Sequence, residues 1–362
     1  MTNDLILVYA GFFICSIIIS LLLNGLLLRF SLTMGVRANP ELVRWSTSAK
    51  PAVGGISFYV MFLLSLACYA VFFPYRFVAL DKQLLGVLGA VTIAFIMGLA
   101  DDAYNTKPFL KLFVQIFCGV ILIATDQSIQ IFDNVALNNT LTILWVVGIM
   151  NSINMLDNMD AITATVSLFI LFEALLILYI GRDFSSFNVI MLLGVVGSLS
   201  GFLFFNWHPS KLFMGDTGSQ FLGILLAIIG VRYFWNNPDF GGHKYESKQI
   251  IVTLLAFLVP FCDTTIVVIK RIMKGRAPWL GGKDHTTHHL SYLGLSDSQI
   301  ALAFAAISVI SMMMILVIQG TIMNWNLLHI LLFSGYIAAV FGTLFTISLV
   351  TKRPAKNDES PG

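Results

Sequence analysis

The stretch Asn206-Trp207-His208-Pro209-Ser210-Lys211-Leu212-Phe213-Met214-Gly215-Asp216-Thr217-Gly218-Ser219 separates two long apolar runs of the chain. A connector between such runs lies at a membrane surface, and a passive connector does not need the turn that ends this one. Glycines at 215 and 218 allow a positive φ or a close approach of the backbone to a ligand. Asp216, between them, offers a hard oxygen ligand of the kind that Mg²⁺ prefers. The turn predicts either a magnesium site or an ordinary polar connection, and the other polar segments decide between them.

The composition predicts the class of protein. Of the 362 residues, 57% are hydrophobic and 11% are charged, and the mean hydropathy is +0.86. A soluble domain of this length cannot bury so much apolar surface, whereas a lipid bilayer removes that requirement. The net charge is only +2 and no basic soluble module is present, so we expect no nucleic-acid partner. The cysteines lie in apolar runs and are expected to pack as small core residues: Cys15, Cys68, Cys118 and Cys262.

Apolar runs of the length of a spanning helix recur along almost the entire chain. Roughly 20 mostly apolar residues cross a bilayer. The pattern predicts an all-α, polytopic integral membrane protein with about eleven spanning helices in a single transmembrane domain over residues 1–351. Pro260 is expected to kink the ninth helix, and residues 352–362 to form a short, disordered polar tail. The expected spans are 5–29, 53–73, 84–100, 109–125, 141–156, 161–180, 188–205, 219–236, 250–270, 298–318 and 327–350.

The distribution of Lys and Arg predicts the orientation in the membrane, because cytoplasmic connections carry an excess of both. Connections that follow odd-numbered helices hold fifteen of the 21 basic residues. The prediction is therefore an N-terminus outside and a C-terminal tail in the cytoplasm. The fifteen are Arg29, Arg37, Arg44, Lys50, Lys107, Lys111, Lys211, Lys270, Arg271, Lys274, Arg276, Lys283, Lys352, Arg353 and Lys356. The other six are Arg76, Lys82, Arg182, Arg232, Lys244 and Lys248.

The dense polar segments all fall on the side that is predicted to be cytoplasmic. Solvated loops need no such asymmetry, and the external connections carry nothing comparable, since His243 stands alone there. The five segments are Lys50 to Gly55, Asp101 to Asn105, Asn151 to Asp160, the turn at Asp216, and Asp284 to His289.

Asp101 and Asp102 follow an apolar run directly. Two adjacent carboxylates repel each other unless a cation or a basic group lies nearby. Lys111 begins the next run, with its ammonium near the same surface. A solvated helix end with a snorkelling lysine is the simpler interpretation, and a lysine that faces a phosphate is the alternative.

The segment from Asn151 to Asp160 carries an amide or a carboxylate at every third position: Asn151, Asn154, Asp157 and Asp160. Residues three apart on a helix lie on adjacent parts of one surface. An unpaired polar row in hydrocarbon costs a few kcal/mol for each central charge. The row therefore predicts a shared polar cavity, or else a polar contact between helices.

The segment Asp284-His285-Thr286-Thr287-His288-His289 follows a cationic run that includes Lys270, Arg271 and Lys283. Three histidines can bind zinc, but a zinc site usually adds a cysteine or a carboxylate at a fixed spacing. Imidazoles donate hydrogen bonds to phosphate oxygens, and Lys and Arg supply positive charge. The sequence favours a polyphosphate pocket over a zinc site.

Together these segments resemble those of the polyprenyl-phosphate N-acetylhexosamine-1-phosphate transferases, glycosyltransferase family 4. This family includes the enzyme that starts enterobacterial common antigen and O-antigen, the teichoic-acid linkage enzyme, and the MurNAc-pentapeptide translocase. Five motifs occur in the family's order, from Pro51-Ala52-Val53-Gly54-Gly55 to His289, and so cover nearly the whole chain. The turn Phe213 to Ser219 matches closely, and Asn151 to Asp160 follows the family's Asn-x-x-Asn-x-x-Asp-Gly-x-Asp pattern.

The chain departs from the family pattern at four places. Asn158 replaces the glycine, and Asn105 stands where an acidic residue is usual, so no role is carried over to that position. The segment His285 to His289 has one residue more than the usual His-x-His-His. The translocase's own His-His-His-Phe-Glu is absent, which argues against a MurNAc-pentapeptide donor.

The resemblance implies a multi-pass enzyme of the bacterial inner membrane with its active site facing the cytoplasm. A phosphate oxygen of undecaprenyl phosphate would attack the sugar-bearing phosphorus of UDP-GlcNAc or another UDP-HexNAc, and UMP would leave. Such a site mainly positions reactants and neutralises charge. The product would start a cell-envelope polysaccharide such as the lipopolysaccharide O-antigen, or another cell-wall polymer. A homodimer is left open.

The resemblance also implies roles for the polar residues. Asn154 and Asp216 would hold Mg²⁺, with Mn²⁺ as a substitute, and Asp160 would contact uracil. Asn151 and Asp157 would bind the donor beside them. The phosphates would be gripped by four basic side chains: Lys111, His285, His288 and His289.

The lipid phosphate would meet the remaining candidates. Asp101 and Asp102 would orient or deprotonate it, and Lys50 would contact it. A single displacement and a double displacement through an aspartyl-phosphosugar both fit the sequence, and the first is favoured because a phosphate monoester is largely ionised at neutral pH.

Two alternatives come from other classes. An ion-coupled transporter also keeps acids and histidines in membrane helices, but near the midplane of broken helices. Here they cluster at the cytoplasmic ends, with Asp263 as the main exception, whose role the sequence does not indicate. An inactive scaffold relative is the other alternative, against which the intact set of Asp101, Asp102, Asn154 and Asp216 argues.

Overall fold

A computed structural model describes residues 3–34, 50–73, 81–181, 187–239, 241–242, 244–277 and 282–351. Over these residues the chain forms thirteen α-helices and one π-helical turn, Gly230–Trp235, and no β-strand. The tail 352–362, His243, and four of the counted basic residues, Arg37, Arg44, Arg76 and Arg182, lie outside the described residues. The helices are α1 (Asn3–Met34), α2 (Gly55–Phe72), α3 (Lys82–Tyr104), α4 (Pro108–Ala124), α5 (Val135–Leu156), α6 (Ile162–Ile180), α7 (Phe187–Asn206), α8 (Gly215–Ile229), α9 (Glu246–Ala256), α10 (Leu258–Met273), α11 (Thr286–Tyr292), α12 (Asp297–Gly320) and α13 (Leu327–Val350).

The polytopic, all-α class is confirmed, but eleven spans are not. Nine of the described helices are long and apolar enough to cross a membrane, with α8 and its π-helical continuation counted as one. The count is ten if the bent pair α9 and α10 is one span. The predicted span 109–125 is α4, whose 17 residues stand at the lower limit of the lengths that cross a bilayer. The orientation of the termini stays a prediction.

The ninth predicted span is broken rather than kinked. Its two halves, α9 and α10, meet at 82°. Proline has no N–H, and its ring clashes with the carbonyl of the residue four positions earlier. For Pro260 that residue is Ala256, which is the last residue of α9. Pro260 therefore predicts the position of the break, but the observed bend is much larger than the expected kink.

Helix α8 lies at the centre of the molecule, and nearly all of its side chains are buried. Two glycines allow neighbouring helices to touch the backbone of its first turn. A Cβ on Gly98 of α3 would lie 2.3 Å from the Asp216 carbonyl oxygen, and one on Gly55 of α2 would lie 2.1 Å from the Gly218 nitrogen. Helix α5 packs against α8 as well. The ends of α3 and α5 therefore meet the N-terminus of α8.

A short parallel bridge joins Ala52 to Phe213. The Phe213 N–H donates to the Pro51 carbonyl at 2.9 Å, and the Gly54 N–H donates to the Phe213 carbonyl at 3.0 Å. The bridge aligns the segment before α2 with the segment before α8. It thus brings two of the predicted polar segments together.

Candidate active site

Asp102 caps the N-terminus of α8. Its Oδ1 accepts from the Asp216 N–H at 2.8 Å, and its Oδ2 accepts from the Thr217 N–H at 2.9 Å and from the Thr217 hydroxyl at 2.6 Å. The first N–H groups of a helix lack partners within it, and the helix dipole favours a negative charge there. Gly215 has a φ of 72°, and a Cβ on it would lie 2.6 Å from Asp102 Oδ2. The glycine therefore admits a protein carboxylate rather than a ligand.

Lys111 lies between two carboxylates. Its Nζ is 2.7 Å from Asp216 Oδ2 and also contacts Asp101 Oδ2. Asp101 Oδ1 in turn accepts from the Thr106 N–H at 2.8 Å and from the Thr106 hydroxyl. The turn between α3 and α4 is only three residues long, so Lys111 on the first turn of α4 returns over the end of α3. The lysine joins α3, α4 and α8 at one point.

Asn154 completes this first cluster from α5. Its Nδ2 donates to Asp216 Oδ1 at 2.7 Å and to the Ser219 hydroxyl oxygen at 2.8 Å. The amide oxygen of Asn154 is then the atom available to a cation beside Asp216. Lys111 holds the other carboxylate oxygen of Asp216, so a metal ion would share the carboxylate with the lysine.

The electrostatics of the cluster favour a divalent cation. Asp157 follows α5 directly, and burial raises its pKa to about 8, with further contributions from the carboxylates of Asp216, Asp102 and Asp160. Several acidic groups thus surround one ammonium, and the excess negative charge is what a bound cation relieves. The hard oxygen donors Asp216 and Asn154 suit Mg²⁺, so the residues present fit this ion.

Asn151 lies deeper in the same polar row. Its Nδ2 donates to Gln115 Oε1 at 2.7 Å and to the Val147 carbonyl at 2.8 Å. Gln115 Nε2 lies 3.3 Å from Gln220 Oε1, which connects α4 to α8. The geometry gives Asn151 a polar contact between helices, one of the two alternatives that the sequence left open for the row.

Asp160 and Lys50 form a second cluster. Asp160 Oδ1 accepts from the Ser210 hydroxyl at 2.7 Å, and its Oδ2 accepts from the Ser210 N–H at 3.0 Å and lies 3.0 Å from His208 Nδ1. Lys50 Nζ is 3.9 Å from the same carboxylate and donates to the Ser210 hydroxyl oxygen at 3.0 Å. Lys50 is therefore placed beside the candidate uracil contact, rather than beside Asp101 and Asp102.

This second cluster also contains an acid from the start of α12. His208 Nδ1 lies 3.4 Å from Asp297 Oδ2, and Asp160, His208 and Asp297 each place one ligand atom within 4.8 Å of the others. Asp160 already accepts three hydrogen bonds and has an ammonium nearby, so these groups pair without a metal.

The histidine segment forms a third cluster between α10 and α13. His285 Nδ1 lies 2.8 Å from Asp263 Oδ2. His289 has protein partners at both ring nitrogens: Lys270 Nζ is 2.7 Å from its Nε2, and the Thr351 hydroxyl is 2.6 Å from its Nδ1. A phosphate would have to displace one of these partners to reach His289, whose predicted role stays a prediction.

Both histidines of α11 are neutral at pH 7. Burial lowers the pKa of His288 to about 4, helped by the charge of His285. Burial and then the Lys270 ammonium lower the pKa of His289 to about 4. Neutral imidazoles still donate one N–H each to an acceptor, so hydrogen bonding rather than charge is what they offer a phosphate.

Asn158 links the polar row to the histidine segment. The Thr287 hydroxyl donates to Asn158 Oδ1 at 2.6 Å, and Asn158 Nδ2 donates to the Met155 carbonyl at 2.8 Å. Both Asn158 and Thr287 are buried. The segment that carries Asn154 and Asp160 is therefore hydrogen-bonded to the histidine segment.

Several of the polar partners were not predicted from the sequence. Thr217 and Ser219 stand in the turn that opened the sequence analysis, and Ser210 precedes it. Gln115 offered a clear signal, since it is a polar residue in an apolar run, four positions after Lys111 and hence on the same helix face. Thr106 gave no signal beyond its place in a polar loop.

The chain is similar to known transferases. Residues 84–234 match the model of glycosyl transferase family 4. A probable undecaprenyl-phosphate N-acetylglucosaminyl 1-phosphate transferase of Bacillus subtilis is 26% identical over 91% of this chain and 91% of its own length. A decaprenyl-phosphate N-acetylglucosaminephosphotransferase of Mycobacterium leprae is 28% identical over 70% of this chain and 69% of its own. A phospho-N-acetylmuramoyl-pentapeptide-transferase of Halalkalibacterium halodurans is 26% identical over 85% of this chain and 95% of its own.

The matched segment 84–234 contains all the residues of the first cluster, together with Asp160. Lys50 and the histidine segment lie outside it, and the alignment with the Bacillus subtilis relative covers 91% of the chain. The relatives named here are transferases, which favours an enzyme over an ion-coupled transporter. Over residues 84–234 the chain matches glycosyl transferase family 4, and this match together with the named relatives identifies the protein as a phosphoglycosyl transferase.

Proposed function

We propose that the protein transfers GlcNAc-1-phosphate from UDP-GlcNAc to a polyprenyl phosphate, with undecaprenyl phosphate as the expected acceptor. The names of the relatives at high coverage support this reaction. The observation that carries it is the first cluster, where Lys111, Asp216 and Asn154 combine an ammonium with oxygen ligands for a cation. A diphosphate and its metal ion need this combination of groups.

The reaction exchanges one diphosphate for another. An oxygen of the lipid phosphate forms a bond to the phosphorus that carries the sugar, and the bond from that phosphorus to the oxygen of UMP breaks. The electron pair leaves with UMP, and the product is a lipid-linked sugar diphosphate. Bound Mg²⁺ would neutralise the charge on the diphosphate.

The residues of the first cluster divide the remaining work. Lys111 supplies positive charge to the phosphoryl group in transfer, where preorganised charge lowers the barrier. Asp101 keeps Lys111 in place, and Asp102 holds the first turn of α8 so that Asp216 faces Lys111. Asp102 accepts three hydrogen bonds, so it is a poor candidate for a covalent nucleophile, and we propose a single displacement.

The second cluster would recognise the nucleoside. Asp160 is expected to contact uracil, and Lys50 lies close enough to contribute to the same contact. Asn151 and Asp157 would shape the donor site from α5 and its end. His285 and His288 are proposed to meet the phosphates of the donor.

The location in the cell also belongs to this proposal. It includes a bacterial inner membrane, an active site on the cytoplasmic face of that membrane, and a single catalytic domain over residues 1–351. It also includes a product that starts a cell-envelope polysaccharide. These proposals rest on the resemblance and on the bias in Lys and Arg. A cysteine introduced by Asn134→Cys should react with an impermeant reagent in intact cells, and one introduced by Thr106→Cys should not. Labelling of the second cysteine from outside would contradict the orientation.

A second candidate function is the transfer of phospho-MurNAc-pentapeptide, because one relative carries that name. The histidine segment His285-Thr286-Thr287-His288-His289 lacks the His-His-His-Phe-Glu of that enzyme. We therefore favour the smaller HexNAc donor, and a competition between the two UDP-sugars distinguishes them.

The leaving group tests the reaction class. Purified protein in detergent, given UDP-GlcNAc, undecaprenyl phosphate and Mg²⁺, is expected to release UMP in equal amount to the GlcNAc-diphosphoryl lipid. Added UMP should drive the reaction backwards, since one diphosphate is replaced by another. Release of UDP with a lipid monophosphate sugar would show that the sugar–phosphate bond breaks instead, and the proposal would fail.

A further inference from the structure

Three side-chain amides lie one helical turn away from the first cluster, further from the helix ends that carry it. Residues three or four apart share a helix face, and each of α4, α5 and α8 has an amide at that spacing from its own member of the cluster. Gln115 follows Lys111 by four residues, Gln220 follows Asp216 by four, and Asn151 precedes Asn154 by three. Gln115, Asn151 and Gln220 therefore form a second polar layer, which we call the amide layer.

Gln115 is the central member of the amide layer. Its Oε1 accepts from Asn151 Nδ2 at 2.7 Å, and its Nε2 lies 3.3 Å from Gln220 Oε1 and 3.4 Å from Asn151 Oδ1. Gln115 and Gln220 are both 1% exposed. Within the described residues Gln220 Nε2 has no hydrogen-bond partner, so the Gln220 side chain is hydrogen-bonded through Gln115. A buried amide that loses its partner costs free energy, so the layer favours the arrangement of α4, α5 and α8 that keeps these bonds.

Helix α4 is attached to the rest of the protein by one face. Its buried residues form a single stripe: Gln115, Cys118, Gly119 and Leu122. Apolar packing along such a stripe is non-directional, whereas a buried amide specifies register, as a polar residue does in a coiled coil. In the described part of the chain, two hydrogen bonds join α4 to α8, from Lys111 to Asp216 and from Gln115 to Gln220. Gln115 therefore fixes the rotation of α4 against α8 independently of Lys111.

The place of the Lys111 ammonium depends on that rotation. Its Nζ lies 2.7 Å from Asp216 Oδ2 and also contacts Asp101. Both contacts are made from the first turn of α4, one turn from Gln115, so a rotation of the helix about its axis shifts the ammonium directly. A displacement of a reacting or charge-stabilising group by about 1 Å can lower a rate by about 10²-fold.

We propose that Gln115 is a positioning residue for the transfer reaction. Its bonds to Asn151 and Gln220 hold α4 in the rotation and depth that place the Lys111 ammonium between Asp101 and Asp216. The inference rests on the proposed function for the reaction that Lys111 serves, and on the contacts alone for the position of Lys111. Gln115 touches no substrate in this arrangement and acts through the lysine.

The experiment is a double-mutant cycle between Gln115→Met and Lys111→Met in the full chain. Methionine has the length of glutamine and makes no amide hydrogen bond, so it keeps the packing of the stripe and removes only its direction. Cys118→Ala is the matched control, because Cys118 is a buried residue of the same stripe that contacts the Ala90 carbonyl of α3 at 3.5 Å. Two quantities are measured for each variant: the kinetics of UMP release, and the Tm in detergent without substrate.

The kcat should fall by about 10- to 100-fold in Gln115→Met, with KM for UDP-GlcNAc changed by less than about threefold. In the Lys111→Met background the same substitution should lower kcat by no more than about twofold, because the ammonium that it displaces is already absent. The fall in Tm caused by Lys111→Met should likewise be smaller in the Gln115→Met background. Cys118→Ala should lower the Tm but reduce kcat by no more than about threefold.

A kcat of Gln115→Met close to that of the unsubstituted protein would overturn the proposal. So would losses of kcat and Tm that combine independently in the double variant, because Gln115 would then act on overall packing and not on Lys111. If Gln115→Met does not fold, Gln220→Met removes the acceptor on α8 and takes its place in the cycle, where independent losses would overturn the proposal in the same way. Absence of UMP release by the unsubstituted protein would refute the proposed function, and the Tm cycle alone would then decide whether Gln115 positions Lys111.

Discussion

Replacement of Lys111 by methionine tests the first cluster most directly. Methionine keeps the length and apolar stem of the side chain and removes the ammonium between Asp101 and Asp216. The side chains of Lys111, Asp101 and Asp216 are 24%, 6% and 29% exposed. The substitution therefore leaves two largely buried carboxylates facing each other without a cation.

The magnitude follows from this degree of burial. A fully exposed ion pair contributes about 0–1 kcal/mol, and removal of one partner from a buried pair costs about 3–5 kcal/mol. Since the three groups lie between these limits, we expect a loss of about 2–3 kcal/mol in the free energy of unfolding. The kcat should fall by a factor on the order of 10² to 10³, because the ammonium acts on the charge that moves in the transition state.

The assay combines kcat for UMP release with the Tm of the detergent-solubilised protein at a fixed scan rate. Lys111→Arg is the matched control, since it keeps the charge and should retain most of the Tm. Mg²⁺ should raise the Tm of Lys111→Met by more than that of the unsubstituted protein, because the cation replaces the missing ammonium between the carboxylates. If Lys111→Met has an unchanged Tm, with or without Mg²⁺, and a kcat close to that of the unsubstituted protein, the reasoning about this cluster is wrong.

Three other predictions follow from the contacts of the site. Asp102→Ala removes the cap of α8 and should lower the free energy of unfolding by about 1–2 kcal/mol, measured as a fall in Tm that Asp102→Asn shows only in part; an equal fall in both would contradict the capping role. Asn158→Gly and Thr287→Val should each raise KM for UDP-GlcNAc. The KM of the double variant should be no higher than that of either single variant, because both substitutions remove the same hydrogen bond. Additive increases in KM would refute the coupling. Asp157 has a folded-state pKa of about 8 against an ordinary 3.8, so its contribution to stability is fully present below about pH 4 and is lost progressively as the pH rises from about 4 to about 8. Without Mg²⁺ the Tm should fall between about pH 5 and 8 and level off above that, and Asp157→Asn should remove that part of the fall; an unchanged pH dependence in the variant would argue against it.

The sequence predicted the helices well and the spans less well. Each of the eleven apolar runs coincides with helical structure, because length and hydropathy are local properties. The number of crossings depends also on how a run is placed, and α4, with 17 residues, meets only part of that requirement. The position of the break before α10 could be predicted from Pro260, because its ring clashes with the carbonyl four residues earlier. The size of the bend could not be predicted from the sequence.

The candidate site divides in the same way. The expectation that the polar segments share one region agrees with the contacts of Asp216 with Lys111 and Asn154. The sequence could not indicate that Asp102 faces a helix N-terminus while its neighbour Asp101 faces a lysine, because adjacent residues on α3 point about 100° apart. Which partner each one meets depends on the packing of α8 against α3.

Two departures from the family pattern are connected by one hydrogen bond. They are Asn158 and the extra residue in the segment His285 to His289, and the bond joins the Thr287 hydroxyl to Asn158 Oδ1. A residue added before a helical segment rotates every later side chain by about 100° about the helix axis. In this chain that rotation accompanies a His289 ring directed to Lys270 and Thr351, and a Thr287 hydroxyl directed to Asn158. A glycine at position 158 would offer no side-chain oxygen, so the threonine would be left without this acceptor. The extra residue and the asparagine therefore fit each other in this structure, while His289 contacts α10 and the residue that follows α13. The parts of His285, His288 and His289 in a phosphate site stay predictions.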